Sequence, residues 1–120
     1  MYGVPEDLDL TQFIGTELIQ LYINRNGIGF EFHPSGYIFC EGKWEAFDHD
    51  GEMIDHGSRE LGGSRSEYRV HRLLGKSVAR TKLDPPESFS MIFEGGSILR
   101  VFDDSKHHES ITIQPSGIFI

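Results

Sequence analysis

Leu10-Thr11-Gln12-Phe13-Ile14-Gly15-Thr16-Glu17-Leu18-Ile19-Gln20-Leu21-Tyr22-Ile23-Asn24 is answered sixty positions later by Val70-His71-Arg72-Leu73-Leu74-Gly75-Lys76-Ser77-Val78-Ala79-Arg80-Thr81-Lys82-Leu83-Asp84. Leu10, Phe13, Ile14, Gly15, Leu18 and Ile23 fall on Val70, Leu73, Leu74, Gly75, Val78 and Leu83. After a shift of one residue, Ile28, Phe30 and Phe32 meet Phe89, Met91 and Phe93, and a return to the first offset places Gly36 and Ile38 on Gly96 and Ile98. Beyond a longer second loop, Phe47, Gly51, Met53 and Ile54 meet Ile113, Gly117, Phe119 and Ile120. Apolar positions and turn glycines recur together, which marks a duplicated structural unit over residues 10–56 and 70–120, joined by a connector at 57–69.

Each copy opens with apolar residues spaced three and four apart and then glycine, the pattern of a short helical turn closed by a residue of positive φ. Ser64 with Glu67 three residues on supplies capping-box chemistry and predicts the longer helix in the second copy. The remainder alternates with period two. Ile28, Phe30 and Phe32 share one face of a strand, and Asn26-Gly27 before them is a favoured hairpin turn. About ten short strands separated by hairpin-length turns pair antiparallel. The expected fold is mainly β: two tandem meanders packed as one sandwich, roll or barrel, with one or two short helices, in a single domain over 1–120.

The chain's 120 residues suffice for a core without metal or disulfide support. Its net charge of −8 opposes simple counter-charge binding to nucleic acid or anionic membrane. The imbalance is uneven: residues 1–60 carry three Lys and Arg against twelve Asp and Glu, residues 61–120 eight against seven. The cations gather between Arg59 and Lys82, a stretch that either forms a solvated connector or recruits an acidic partner, a phosphate or the acidic half of a second copy. The lone Cys40 lies in an apolar run and reads as a buried structural thiol, which suits a reducing compartment. An acidic start without an apolar stretch predicts no secretory signal, and no run reaches membrane-spanning length, so a cytoplasmic protein is expected.

Two polar clusters carry the candidate chemistry. Asp48, His49, Asp50, Glu52, Asp55 and His56 are of types that ligate divalent ions, and Asp48 and Asp50 before Gly51 faintly resemble a calcium loop, but the later acidic ligands are missing and turn formation explains Asp and Gly here. Asp103, Asp104, Lys106, His107, His108 and Glu109 occupy the segment by which the second copy exceeds the first, where inserted function is often placed. Asp103, Asp104, His107 and His108 are therefore candidate binding residues, with Trp44 as a fifth. Trp44, with Tyr37, Phe39 and Phe47, forms either an aromatic contact face or part of the core. No nucleophile elbow, phosphate loop or defined metal spacing is present, so no catalytic residue, metal or cofactor is expected.

Leu73-Leu74-Gly75-Lys76-Ser77-Val78, Leu83-Asp84-Pro85-Pro86-Glu87-Ser88-Phe89, Phe93-Glu94-Gly95-Gly96-Ser97-Ile98-Leu99-Arg100-Val101-Phe102 and Gly42-Lys43-Trp44-Glu45 together resemble a family of small bacterial proteins of unknown function. The resemblance covers most of residues 10–120 and rests on strand and turn patterns. By analogy it implies an immunity-like or other protein-binding role. The leading expectation is a noncatalytic protein-binding or self-associating module, a homodimer included; acidity over the first copy suits a basic partner. The alternative is a small-molecule binder or metal-dependent enzyme built on the 103–109 loop with His71 or His56.

Overall fold

Turn residues cut the chain into β1 (Glu17–Asn24), β2 (Gly27–His33), β3 (Tyr37–Cys40), β4 (Trp44–Phe47), β5 (Met53–Gly57), β6 (Val78–Asp84), β7 (Ser88–Phe93), β8 (Ile98–Phe102), β9 (Ile111–Gln114) and β10 (Ile118–Phe119). These come from a computed structural model that describes residues 3–58, 67–104 and 109–120. Asn24 sets the first hairpin: its side-chain oxygen accepts the N–H groups of Asn26 at 2.7 Å and Gly27 at 3.1 Å, shaping the loop between β1 and β2. Asp48 does the same between β4 and β5, and Gly51 there has a φ of 83° that a side chain would resist.

The strands form two antiparallel five-stranded sheets, β1-β2-β3-β9-β10 and β5-β4-β8-β7-β6, packed as a sandwich. Neither sheet is one whole meander. The first half of the chain gives three strands to the first sheet and its last hairpin to the second; the second half does the reverse. The seam strands are β3 against β9 and β8 against β4. Backbone bonds continue through the crossing, with Glu41 N–H donating to Ser110 C=O at 2.8 Å and Phe102 N–H to Lys43 C=O at 3.0 Å. Exchanging the hairpins places a strand from the other half beside β3 and β8, which would otherwise be open sheet edges.

The pairing scheme maps onto itself when β1–β5 are exchanged with β6–β10. At the centre of that relation, Gly15 N–H donates to Val78 C=O and Gly75 N–H to Leu18 C=O, both at 2.8 Å, around an antiparallel bridge between Glu17 and Ser77. Gly15 and Gly75 have φ of 88° and 86°, a backbone setting that an L side chain strains. The offset then departs from the sequence reading. Phe30 pairs with Ile38 and Met91 with Leu99, so Ile38 corresponds to Leu99 and not to Ile98. Likewise Phe32 N–H reaches Gly36 C=O where Phe93 N–H reaches Ser97 C=O, which sets Gly36 beside Ser97 instead of Gly96. The cause is the extra residue in the turn between β6 and β7, which the next turn does not give back.

Alternation places one face of the central strands inside. Phe30, Phe32, Met91 and Phe93 are all buried, with Phe13, Leu18, Ile38, Phe89, Leu99 and Ile113 among their companions in one core. Both predicted helical turns are single 3-10 turns, Thr11–Phe13 and Val70–Leu73. Ser64 lies outside the described residues. At the N-terminus of the second turn, Asp55 of β5 accepts the N–H groups of Arg69 at 2.6 Å and Val70 at 2.8 Å through Oδ2. Among the described residues no helix is long and apolar enough to cross a membrane.

Candidate functional site

The described residues among those singled out by sequence do not converge. Trp44 points inward, 4% exposed, its ring edge-to-face on Phe30 at 6.2 Å. Gly57 on the neighbouring strand leaves room for the indole, which a side chain there would strike. Tyr37 and Phe39 lie on the outer side of the first sheet and Phe47 on the outer side of the second, so these aromatics form no common face with Trp44. Asp103 ties down the start of the described chain, its Oδ2 accepting Gly3 N–H at 2.6 Å and its Oδ1 accepting the Ser110 hydroxyl at 3.4 Å. Asp104 is exposed and packs over Gly42. His107 and His108 lie outside the described residues.

The other cluster is mostly turn. Ligand atoms of Asp48, His49 and Asp50 lie within 4.8 Å of one another. Asp48 Oδ1, however, already accepts Asp50 N–H at 2.9 Å and Glu52 N–H at 3.1 Å, and the other two side chains are exposed. Asp55 is 6% exposed and holds backbone N–H groups, those of Arg69 and Val70 plus His56 at 2.8 Å. Cys40 is buried, with Sγ 3.6 Å from Lys43 C=O. These carboxylates serve backbone donors that would otherwise lack partners.

A different constellation is assembled on the outer face of the second sheet. Strand register aligns Lys82, Ser90, Arg100 and Glu45 in one row across β6, β7, β8 and β4. The adjacent row is Arg80, Ile92, Ile98 and Phe47. With Gly51 and Asp84, the side chains of both rows other than Glu45 line a depression of about 640 Å³. Neighbouring strands lie about 4.8 Å apart, so Lys82 and Arg100 flank Ser90 at a backbone separation of about 10 Å, with Arg80 about 6.5 Å along β6 from Lys82. The depression has a cationic rim and an apolar floor.

Arg100 is held in place. Its Nε donates to Ser88 Oγ and its terminal nitrogen to Asp84 Oδ2, both at 3.0 Å, while the guanidinium carbon lies 4.7 Å from the Phe102 ring centre. Arg80 and Lys82 make no ion pair with any described residue. Against family models, curated proteins and solved structures, the chain finds no match. The chemistry of the face must therefore be read from its own side chains. Its lining contains no His or Cys, and its one carboxylate is engaged by Arg100. Three cations beside Ile92, Ile98 and Phe47 attract an anion and bury apolar surface; they supply neither an activated nucleophile nor a proton acceptor.

The first sheet presents the opposite character. Tyr22 and Tyr37 meet edge-to-face at 5.9 Å over Gly29, and the Tyr22 hydroxyl lies 3.4 Å from Glu31 Oε1. Desolvation first, then negative neighbours, raises both phenol pKa values above the ordinary 10.0. Sequence reading noticed Arg80 and Lys82 only as part of a charge run. Arg100 stands outside that run, although Ser90-Met91-Ile92 and Ile98-Leu99-Arg100 each place the flanking residues opposite a core residue, and Arg80-Thr81-Lys82 lies in register beside them. Following that outward face across the hairpins would have found the site.

Proposed function

We propose that this chain is a noncatalytic protein-binding module that receives an acidic, partly apolar segment of a partner on the outer face of the second sheet. The observation carrying this reading is the depression that brings Arg80, Lys82 and Arg100 around Ile92, Ile98 and Phe47. The reading of a basic partner on the acidic half has less support. Residues 1–60 are divided between both sheets, and Asp9, Asp48 and Asp55 each bind backbone N–H groups. Arg80, Lys82 and Arg100, in contrast, share one face of a chain whose net charge is −8. Local charge and apolar floor together set partner choice there, since complementary potential steers encounter and apolar contact holds it.

A synthetic peptide alternating Glu and Leu, titrated into the 15N-labelled protein, tests this. Shifts should concentrate on β6, β7 and β8, and affinity should fall steeply as salt rises. The double variant Arg80→Glu/Lys82→Glu, altering exposed side chains only, should weaken binding about tenfold or more while leaving the melting temperature close to that of the parent. Saturable binding that maps to the Tyr22–Tyr37 face, or that ignores the double variant, would remove the reading.

A further inference from the structure

The two halves end their sheets differently. β1 closes the first sheet and β6 closes the second at equivalent positions, and both begin with an irregularity in register, between Leu18 and Gln20 and between Val78 and Arg80. Both are anchored at their starts by the 15–18 and 75–78 bonds. Beyond those anchors the free edges are Ile19-Gln20-Leu21-Tyr22-Ile23-Asn24 and Ala79-Arg80-Thr81-Lys82-Leu83-Asp84. An open strand edge offers unpaired N–H and C=O groups to any other strand, and charged side chains are the usual protection. β6 has Arg80, Lys82 and Asp84. Residues 19–24 of β1 have no charge at all, and Ile19, Tyr22 and Ile23 are 43%, 38% and 50% exposed. Among the described residues no backbone hydrogen bond reaches 19–24 from the open side.

We infer that β1 is a strand-addition surface for a second copy of this chain, the two β1 strands pairing antiparallel about a two-fold axis at Tyr22. The edge is self-complementary in that register. Leu21 and Ile23, which pair with the core residues Phe30 and Ile28 within the chain, face Ile23 and Leu21 of the other copy. Gln20 faces Asn24 on the outer side, and the two Tyr22 rings meet at the axis. Side chains keep their own face of the sheet, since an antiparallel two-fold matches inner with inner and outer with outer. Apolar meets apolar, amide meets amide, and no like charges are opposed. A β6–β6 pairing in the equivalent register, about Lys82, would instead oppose Lys82 to itself at the axis. The product is a continuous ten-stranded sheet with both cationic depressions left open, so the inference stands apart from the proposed acidic partner.

Analytical ultracentrifugation across a concentration series should show a monomer–dimer equilibrium. Ile23→Lys and Tyr22→Lys should each weaken dimerisation about tenfold or more by setting charge on the edge, with circular dichroism unchanged because both side chains are already exposed. Arg80→Glu/Lys82→Glu should leave the dimer intact. If a β1 variant fails to fold, hydrogen exchange on the parent protein decides: amides of residues 19–24 should gain protection as concentration rises. A protein that stays monomeric at its highest soluble concentration, a dimer indifferent to both lysine variants, or concentration-dependent protection confined to other strands would overturn the inference.

Discussion

Phe32→Ala should lower the free energy of unfolding by about 3–5 kcal/mol, and Phe93→Ala by a similar amount. The two rings fill equivalent places in the core, 2% and 1% exposed, on β2 and β7. Truncating either loses the transfer free energy of the ring and leaves a void that close-packed neighbours fill only in part. Phe32 has one further contact, its ring set edge-to-face on Phe13 at 5.1 Å and 67°. Such a pair contributes about 0.5–1.5 kcal/mol beyond burial, so Phe32 should be the costlier site. Gly36 fixes this arrangement: with φ of 123° it lies under the Phe13 ring, where a Cβ would come within 2.7 Å. Urea unfolding should show a lower midpoint at unchanged slope. A loss below about 1 kcal/mol for both variants would mean the core is not packed as described.

Asp55→Ala should cost about 2–3 kcal/mol, a large effect for a polar residue. One carboxylate accepts from Arg69 and Val70 through Oδ2 and from His56 through Oδ1, joining the last strand of the first half to the turn that opens the second. Removing it orphans donors in a buried setting where water substitutes poorly. Asp55→Asn keeps one acceptor oxygen and should recover part of the loss. Asp9→Ala should cost less, because its bonds to the Thr11 N–H and hydroxyl are exposed to solvent. Thermal melts of the three variants, with hydrogen exchange at Val70, should order them Asp55→Ala, Asp55→Asn, Asp9→Ala. An equal, small effect for all three would show that the second turn does not depend on Asp55.

The candidate site was legible only in fragments. Arg80 and Lys82 stood out by charge, yet their meaning depends on Ser90, Ile92, Ile98 and Arg100, which reach the same face through strand register. Trp44 illustrates the converse. An aromatic in a short strand suits a core or a contact surface equally, and its place was decided by Gly57, which leaves space for the indole on the adjacent strand. Asp55 looked like a possible ligand because composition does not reveal which carboxylates are already accepting backbone N–H groups.

From local chemistry alone, the chain determined its β class, its alternating core residues and the turns at Asn24–Gly27 and Asp48–Gly51, because period-two burial and side-chain-to-backbone bonding act within a few residues. Gly15 and Gly75 were equally legible, since a helical turn that closes on positive φ selects glycine wherever it occurs. Tertiary structure decided what depends on distant partners. The crossing of each half's final hairpin into the other sheet and the gathering of three cations over an apolar floor both follow from which strands become neighbours. That choice is made by the fit of two apolar faces and the pairing of open edges across the whole chain, and no single segment encodes it.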